Sequence, residues 1–344
     1  MSTKGRITAQ DVARLAGVSQ SAVSRVFTPG ASVSPATVDR VRAAADTLGY
    51  RPDALARAMI TGRSRIIGLV VAYLENQFYP LAIEKLSRAL QARGYHVLIF
   101  MAENATDNVS EVVRELIDYR VDGIITASVS LSNELTGRLA GQGIPVVNFN
   151  RGQEDPRLTD VTSDNVAGGR RATDYLIAAG HRRIAHIMGW QGSSTGRDRA
   201  EGFRQAMAAA GLEPVAMIDG MYDREATIRA TRDLFTRPDR PDALFVGNDH
   251  MAFAAMDELR FGLGLGVPGD VSVIGYDDVP MAAWPAYDLT TIRQPVNRMV
   301  RATVEAILGM IEGDVAPQKT HIDGPLVERG SARRPDTNLK EASR

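Results

Sequence analysis

The sequence predicts an α/β protein in two parts: a small all-α head at the N-terminus and a large body of two doubly wound, parallel-sheet lobes. Three observations predict this. Residues 1–52 read as three short amphipathic helices with cap residues at their ends and no strand pattern. From Ile66 onward, short Val- and Ile-rich runs alternate with helix-length amphipathic segments, the pattern of βαβ units. That alternation continues over roughly 270 residues, more than one ordinary doubly wound domain holds, and so divides into two similar lobes.

In the head, Thr8 with Asp11 three residues later opens the first helix as a capped segment, with Val12, Leu15 and Ala16 on its core face and Gly17 as its stop. After the turn Gly17-Val18-Ser19, Ser19 N-caps a second helix that buries Val23, Val26 and Phe27. Two short helices joined by so tight a turn make a helix-turn-helix. Ser34-Pro35 opens a third helix, with Val38, Val41, Ala45 and Leu48 at core spacing and Gly49 at its end. The segment Asp53 to Gly62 then reads as a short helix with an Asp cap and a Gly stop, inside a linker of residues 53–65.

In the body, residues 66–333, the expected strands are Ile66–Ala72, Val97–Met101, Gly123–Ala127, Val146–Asn150, Ile184–Gly189, Ala243–Gly247 and Val271–Gly275. The segments Val146–Asn150 and Thr290–Pro295 are expected to carry the chain between the lobes. The tail, residues 334–344, is polar and expected to be disordered.

Composition narrows the function classes. Hydrophobic residues are 44% and charged residues 24%, the balance of an ordinary globular protein. No apolar run approaches the roughly 20 residues of a membrane span, and Met1 to Ala9 has no signal-peptide core, so a cytoplasmic protein without membrane contact is expected. There is no cysteine, which removes disulfides and thiolate metal sites. The net charge of −1 conceals an asymmetry: residues 1–65 hold ten Lys/Arg against four acids, a net of +6 on the head, leaving −7 on the rest. A basic module on an acidic body suits a polyphosphate partner, because neutralising phosphates releases condensed counterions; a merely solvated basic surface is the alternative.

The segments Asp11-Val12-Ala13-Arg14-Leu15-Ala16-Gly17-Val18-Ser19, Ala22-Val23-Ser24-Arg25-Val26 and Leu48-Gly49-Tyr50-Arg51-Pro52 closely resemble the head of the lactose-repressor (LacI/GalR) family. The resemblance continues through Asp164-Asn165 with Gly168, Gly180 to Ala185, Gly247-Asn248-Asp249, Gly275-Tyr276-Asp277-Asp278, Leu289 to Ile292 and Glu328 to Ser331, and so covers nearly the whole chain. It implies a periplasmic-binding-protein-like body with a small-molecule effector in the cleft between lobes, at strand carboxyl ends. It also implies a homodimer on a pseudo-palindromic double-stranded DNA operator. No leucine heptad follows Arg333, so a dimer is expected and not a tethered tetramer.

Carried over residue by residue, the resemblance puts Gln20 and Ser21 against base edges with Arg25 one turn on, and Thr8, Ser19 and Ser24 on phosphates. The segment after Asp53 resembles the family's hinge helix, placing Leu55, Ala56 and Met59 in the minor groove; Met59 stands where relatives carry a wedging leucine. Effector positions fall on Phe78, Tyr79, Thr195, Arg199, Tyr222, Asn248 and Asp277, with Ser128, Asn150, Arg151, Ser193 and Arg197 as weaker candidates. Asn, Asp and Arg can each make paired hydrogen bonds to neighbouring hydroxyls, and aromatic rings cover the apolar face of a sugar, so a carbohydrate-like effector is expected. For the aromatics a core role is the rival.

Enzyme readings are weaker. Gly192-Ser193-Ser194-Thr195-Gly196 matches a nucleophile elbow, with Asp249 and His321 following in hydrolase order, but Trp190-Gln191 separate it from its strand; a serine hydrolase using Ser194 is the alternative function. Gly262-Leu263-Gly264-Leu265-Gly266 precedes a strand where a dinucleotide loop must follow one. The five histidines show no metal-ligand spacing and no P-loop is present, so neither metal nor cofactor is expected.

Overall fold

The computed structural model describes residues 7–28, 31–51, 63–102, 106–129 and 131–335, and the chain divides into two compact units, Met1–Arg65 and Ile66–Arg344. The hinge candidates Leu55, Ala56 and Met59 lie outside the described residues.

In the first unit α1 (Ala9–Ala16), α2 (Gln20–Val26) and α3 (Pro35–Leu48) pack around Val12, Ala13, Ala16, Val23, Val41, Ala44 and Ala45. Thr8 Oγ1 accepts from the Asp11 amide at 3.4 Å while the Asp11 carboxylate accepts from the Thr8 amide at 3.0 Å, a reciprocal cap. Gly17, left-handed at φ 64, lets the Val18 amide reach Ala13 O at 3.0 Å and turns the chain into α2. Leu15, expected in the core, is instead 54% exposed and Ala13 takes its place. The small Ala13 and Ala16 let α1 approach both other helices closely.

The second unit begins with β1 (Ile66–Val71), α4 (Phe78–Gln91), β2 (His96–Met101), α5 (Thr106–Asp118), β3 (Gly123–Ala127), α6 (Asn133–Gly141), β4 (Val146–Phe149) and β5 (Thr159–Ser163). It continues with α7 (Asn165–Ala178), β6 (Ile184–Met188), α8 (Ser194–Ala209), β7 (Ala216–Asp219), α9 (Arg224–Phe235), β8 (Ala243–Val246), α10 (Asp249–Asp257) and β9 (Ser272–Asp277). It closes with β10 (Thr290–Arg293), α11 (Val296–Glu312), β11 (Lys319–Ile322) and β12 (Leu326–Val327). Two six-stranded sheets result, ordered β11-β5-β4-β3-β1-β2 and β12-β10-β9-β8-β6-β7, parallel apart from the antiparallel β12. Each is the centre of one lobe.

The chain crosses between lobes three times: between β5 and α7, between β10 and α11, and between β11 and β12. The second crossing agrees with the Thr290–Pro295 expectation. The first does not, because β4 pairs with β3 and β5 inside the first sheet and the crossing comes one strand later. The reason is β5, Thr-Asp-Val-Thr-Ser, which is buried throughout yet mostly polar. Its Asp160 accepts from Asn148 Nδ2 at 2.8 Å and pairs with Lys319 Nζ at 2.8 Å, so cross-strand polar contacts hold a strand that hydrophobic patterning does not reveal. No helix among the described residues is long and apolar enough to cross a membrane.

Candidate functional site

On the head, Ser19, Gln20, Ser21, Ser24 and Arg25 are all exposed or half-exposed, as is Thr8. Ser19 Oγ caps α2 by accepting from the Ala22 amide at 3.2 Å and lies 2.9 Å from Ser21 Oγ. The start of α2 therefore presents a row of hydroxyls, one amide side chain and one guanidinium, while Val23 anchors its opposite side in the core. Those groups match what is needed at base edges and phosphates.

In the body a narrow cavity, with free space of only about 10 Å³, lies at the carboxyl ends of the strands between the lobes. The first lobe contributes Tyr73, Asn76, Tyr79, Asn150 and Arg151, and the second Thr195, Arg199, Tyr222, Asn248 and Asp277. Asp277 ends β9 and is 3% exposed. Its Oδ2 accepts from Asn76 Nδ2 at 2.8 Å and its Oδ1 from Gln294 Nε2 at 2.7 Å. Arg199 on α8 is 2% exposed and is held on every side. Its Nε donates to Asn165 Oδ1 at 2.9 Å, its Nη1 to Gly247 O at 2.6 Å, and its guanidinium lies 3.6 Å over the Tyr276 ring. Its Nη2 is 3.6 Å from Asp277 Oδ1, so the two charges form a buried pair. Burial pushes the Asp277 carboxyl above its ordinary range, against the opposing pull of Arg199 and of the Asn76 and Gln294 hydrogen bonds.

The remaining groups are positioned as firmly. Asn248 Oδ1 caps α10 by accepting from the Met251 amide at 2.9 Å. The Tyr222 and Thr195 hydroxyls are 2.9 Å apart, and Gly189 makes room for the tyrosine, since a Cβ there would collide with its ring. Asn150 donates to the Tyr79 hydroxyl at 3.0 Å, and the Asn150 Oδ1 is buried without a partner. Arg151 lies between the Trp190 and Tyr222 rings, 5.7 and 5.9 Å from their centroids. Three lining residues hold positive φ: Asn150 at 72, Tyr222 at 57 and Asp277 at 128. Such conformations cost about 1–3 kcal/mol each and persist where the surroundings fix a functional geometry.

Among the expected effector residues, the structure brings Tyr79, Thr195, Arg199, Tyr222, Asn248 and Asp277 to one cavity. Phe78 is not there: it is 2% exposed and stacks on Phe149 at 6.1 Å in the core of the first lobe. Adjacent positions on a helix face different ways, so only one of the Phe78-Tyr79 pair can reach the cleft. Of the weaker candidates, Asn150 and Arg151 line the cavity, Ser193 caps α8 at the Gly196 amide, 3.1 Å away, and the Arg197 guanidinium donates to Gln191 O. Ser128 Oγ accepts from the Ala72 amide at 3.2 Å. Sequence reasoning misses Tyr73 and Asn76; they sit in the β1–α4 loop, whose sequence has no periodic signal.

The model of bacterial regulatory proteins, lacI family, matches residues 8–53, and that of the periplasmic binding protein-like domain matches residues 173–332. An HTH-type transcriptional repressor PurR from Photobacterium profundum is 35% identical over 309 residues, 89% of this chain and 92% of the relative. The ribose operon repressor of Escherichia coli (strain K12) is 34% identical over 331 residues, 94% of this chain and 99% of the relative. The chain belongs to the lacI family of bacterial regulatory proteins. Among solved structures, the lac repressor dimer bound to operator and the anti-inducer ONPF superimposes with TM-score 0.86 at 26% identity, covering 95% of this lacI-family chain and 99% of the repressor. The transcriptional regulator CelR–cellobiose complex superimposes with TM-score 0.72 at 32% identity, covering 95% and 100%.

The hydrolase alternative fails on geometry as well as on family. Ser194 Oγ accepts from the Gly152 amide at 2.9 Å, His321 Nδ1 is 3.0 Å from Thr162 Oγ1, and Asp249 is buried against Thr291 and the Val279 amide. Each member of the supposed triad has a different partner, and a triad needs a nucleophile–base and a base–carboxylate contact.

Proposed function

We propose that this chain is a transcriptional repressor whose affinity for a pseudo-palindromic operator is controlled by a small polar metabolite, a sugar or sugar derivative, bound between the lobes. The observation that carries the reading is the convergence of Asp277, Arg199, Asn248 and Thr195 from one lobe with Asn76, Asn150 and Arg151 from the other, beside three tyrosines. Carboxylate, guanidinium and amide groups recognise adjacent hydroxyls, and phenol rings cover the apolar face of a pyranose or furanose. The relative named for ribose and the neighbour bound to cellobiose support a sugar; the neighbour bound as a dimer to operator supports two heads on two half-sites.

In this reading the division is head 1–52, hinge 53–65, body 66–333 and tail 334–344, with Gln20, Ser21 and Arg25 at base edges, Thr8, Ser19 and Ser24 at phosphates, and Leu55, Ala56 and Met59 in the minor groove. A sugar touching both lobes favours one lobe orientation over another, and only that difference in affinity shifts the head's equilibrium on DNA. The test is a titration of the full-length protein on DNA flanking its own gene at about 50 and 200 mM salt. A regulator that neutralises roughly six phosphates loses about a thousandfold in affinity between those salts. Absence of salt-sensitive binding to any fragment overturns the reading.

A further inference from the structure

We propose that Gln294 is the positioning residue through which Asp277 acts on two of the crossovers joining the lobes, an inference that rests on the function proposed above. Gln294 does not line the cavity. It follows β10 at the start of the second crossover and is 3% exposed, as is Ser163, which ends β5 at the first crossover. Gln294 Nε2 donates to Asp277 Oδ1 at 2.7 Å, and Ser163 Oγ donates to Gln294 Oε1 at 2.7 Å. A second bond ties the same pair through the backbone, from the Gln294 amide to Asp277 O at 3.1 Å.

The chemistry fixes the direction of this bridge. A carboxylate only accepts, so the Gln294 NH₂ must face Asp277; its oxygen then faces Ser163, whose hydroxyl must donate. Turning the amide over would set oxygen against the carboxylate, whereas the Ser163 hydroxyl could accept as well as donate, so Asp277 alone decides the orientation. Gln294 thus reads the state of Asp277 and holds the two crossovers in one arrangement. Asn76 donates to the other oxygen, so a ligand hydroxyl that bonds this carboxylate shares it with the donors already there, Gln294 included.

A parallel route exists: Arg199 stands near Asp277 and donates to Asn165, also at the first crossover. The two routes are separable by a double-mutant cycle. Amide hydrogen exchange is measured on the full-length, ligand-free protein for peptides covering residues 159–169 and 290–299, in wild type, Asp277→Ala, Gln294→Ala and the double variant. With Gln294 present, Asp277→Ala is expected to speed exchange in both segments by about fivefold. With Gln294→Ala, the further Asp277→Ala change is expected to add less than about twofold at residues 159–169. An equal response at those residues in both backgrounds overturns the proposal and assigns the coupling to Arg199 and Asn165. Should Gln294→Ala fail to fold, Ser163→Ala removes the far end of the bridge and serves in the same cycle. The readout needs no ligand and no DNA, so a chain that shows the coupling yet binds no operator contradicts the proposed function alone.

Discussion

The Asn76 side-chain nitrogen lies 2.8 Å from Asp277 Oδ2, so a loop of the first lobe is hydrogen-bonded to the last residue of a central strand of the second. The contact spans the cavity and joins the lobes by the same carboxylate proposed to hold the effector. Removing Asp277 therefore weakens both ligand recognition and closure. Asp277→Ala is expected to lower the affinity for a sugar effector by at least about tenfold, since a buried charged group stripped of its partner costs about 1–3 kcal/mol or more. Calorimetry with a panel of aldopentoses and aldohexoses, beside Arg199→Ala, measures it. Undiminished affinity in both folded variants means that the ligand lies elsewhere.

Gln20 and Ser21 are expected to set which operator is chosen, because both are exposed at the start of α2 while Val23 fixes the helix in its core. A well-placed base contact is worth about 1–3 kcal/mol, so replacing both with alanine should relax preference at one or two symmetric positions of a selected site. Selection from random DNA reads this directly. An unchanged consensus removes them from base recognition.

Ser194 is expected to be free of chemistry. Its hydroxyl accepts the Gly152 amide and thereby links the lobes, so Ser194→Ala should perturb ligand affinity modestly and leave operator affinity within about threefold. Turnover of an ester by the wild-type protein that disappears in Ser194→Ala would revive the hydrolase.

Asp249 gives the body a pH signature. Burial, with the nearby Asp277 charge, pushes its carboxyl up to about 7, opposed by hydrogen bonds from Thr291 and Val279. A folded pKa raised above the unfolded value contributes stability that is fully present below about 4 and lost as pH rises through about 7. Histidines buried neutral, such as His186, act in the opposite sense as pH falls. The useful quantity is therefore the difference between wild type and Asp249→Asn in urea unfolding. The variant should lose stability relative to wild type at about pH 5 and regain ground by about pH 8. A difference independent of pH would contradict the assignment.

Much of this is legible because it sits at motif positions: Asn248 heads a helix after a strand, Asp277 ends a strand, and Arg199 lies in the first turns of α8. What escapes has physical reasons. The strand β5 is held by Asp160, Asn148 and Lys319 and not by apolar alternation, so hydrophobic patterning puts the first crossover one strand too early. Phe78 and Tyr79 are indistinguishable in one dimension, yet one stacks on Phe149 and the other meets Asn150. Asn76 stands in an irregular loop where no pattern marks it, and the left-handed backbone of Tyr222 has no signature in a residue that is not glycine.

The central claim, that ligand in the cleft controls the head on DNA, is tested most directly by titrating the full-length wild-type protein on a selected operator with and without each sugar of the panel at saturation. The account predicts a change in operator affinity of at least about fivefold with one of them, a coupling of about 1 kcal/mol or more, and its disappearance in Asp277→Ala. A sugar that binds the wild-type protein in calorimetry and leaves its operator affinity unchanged would contradict it.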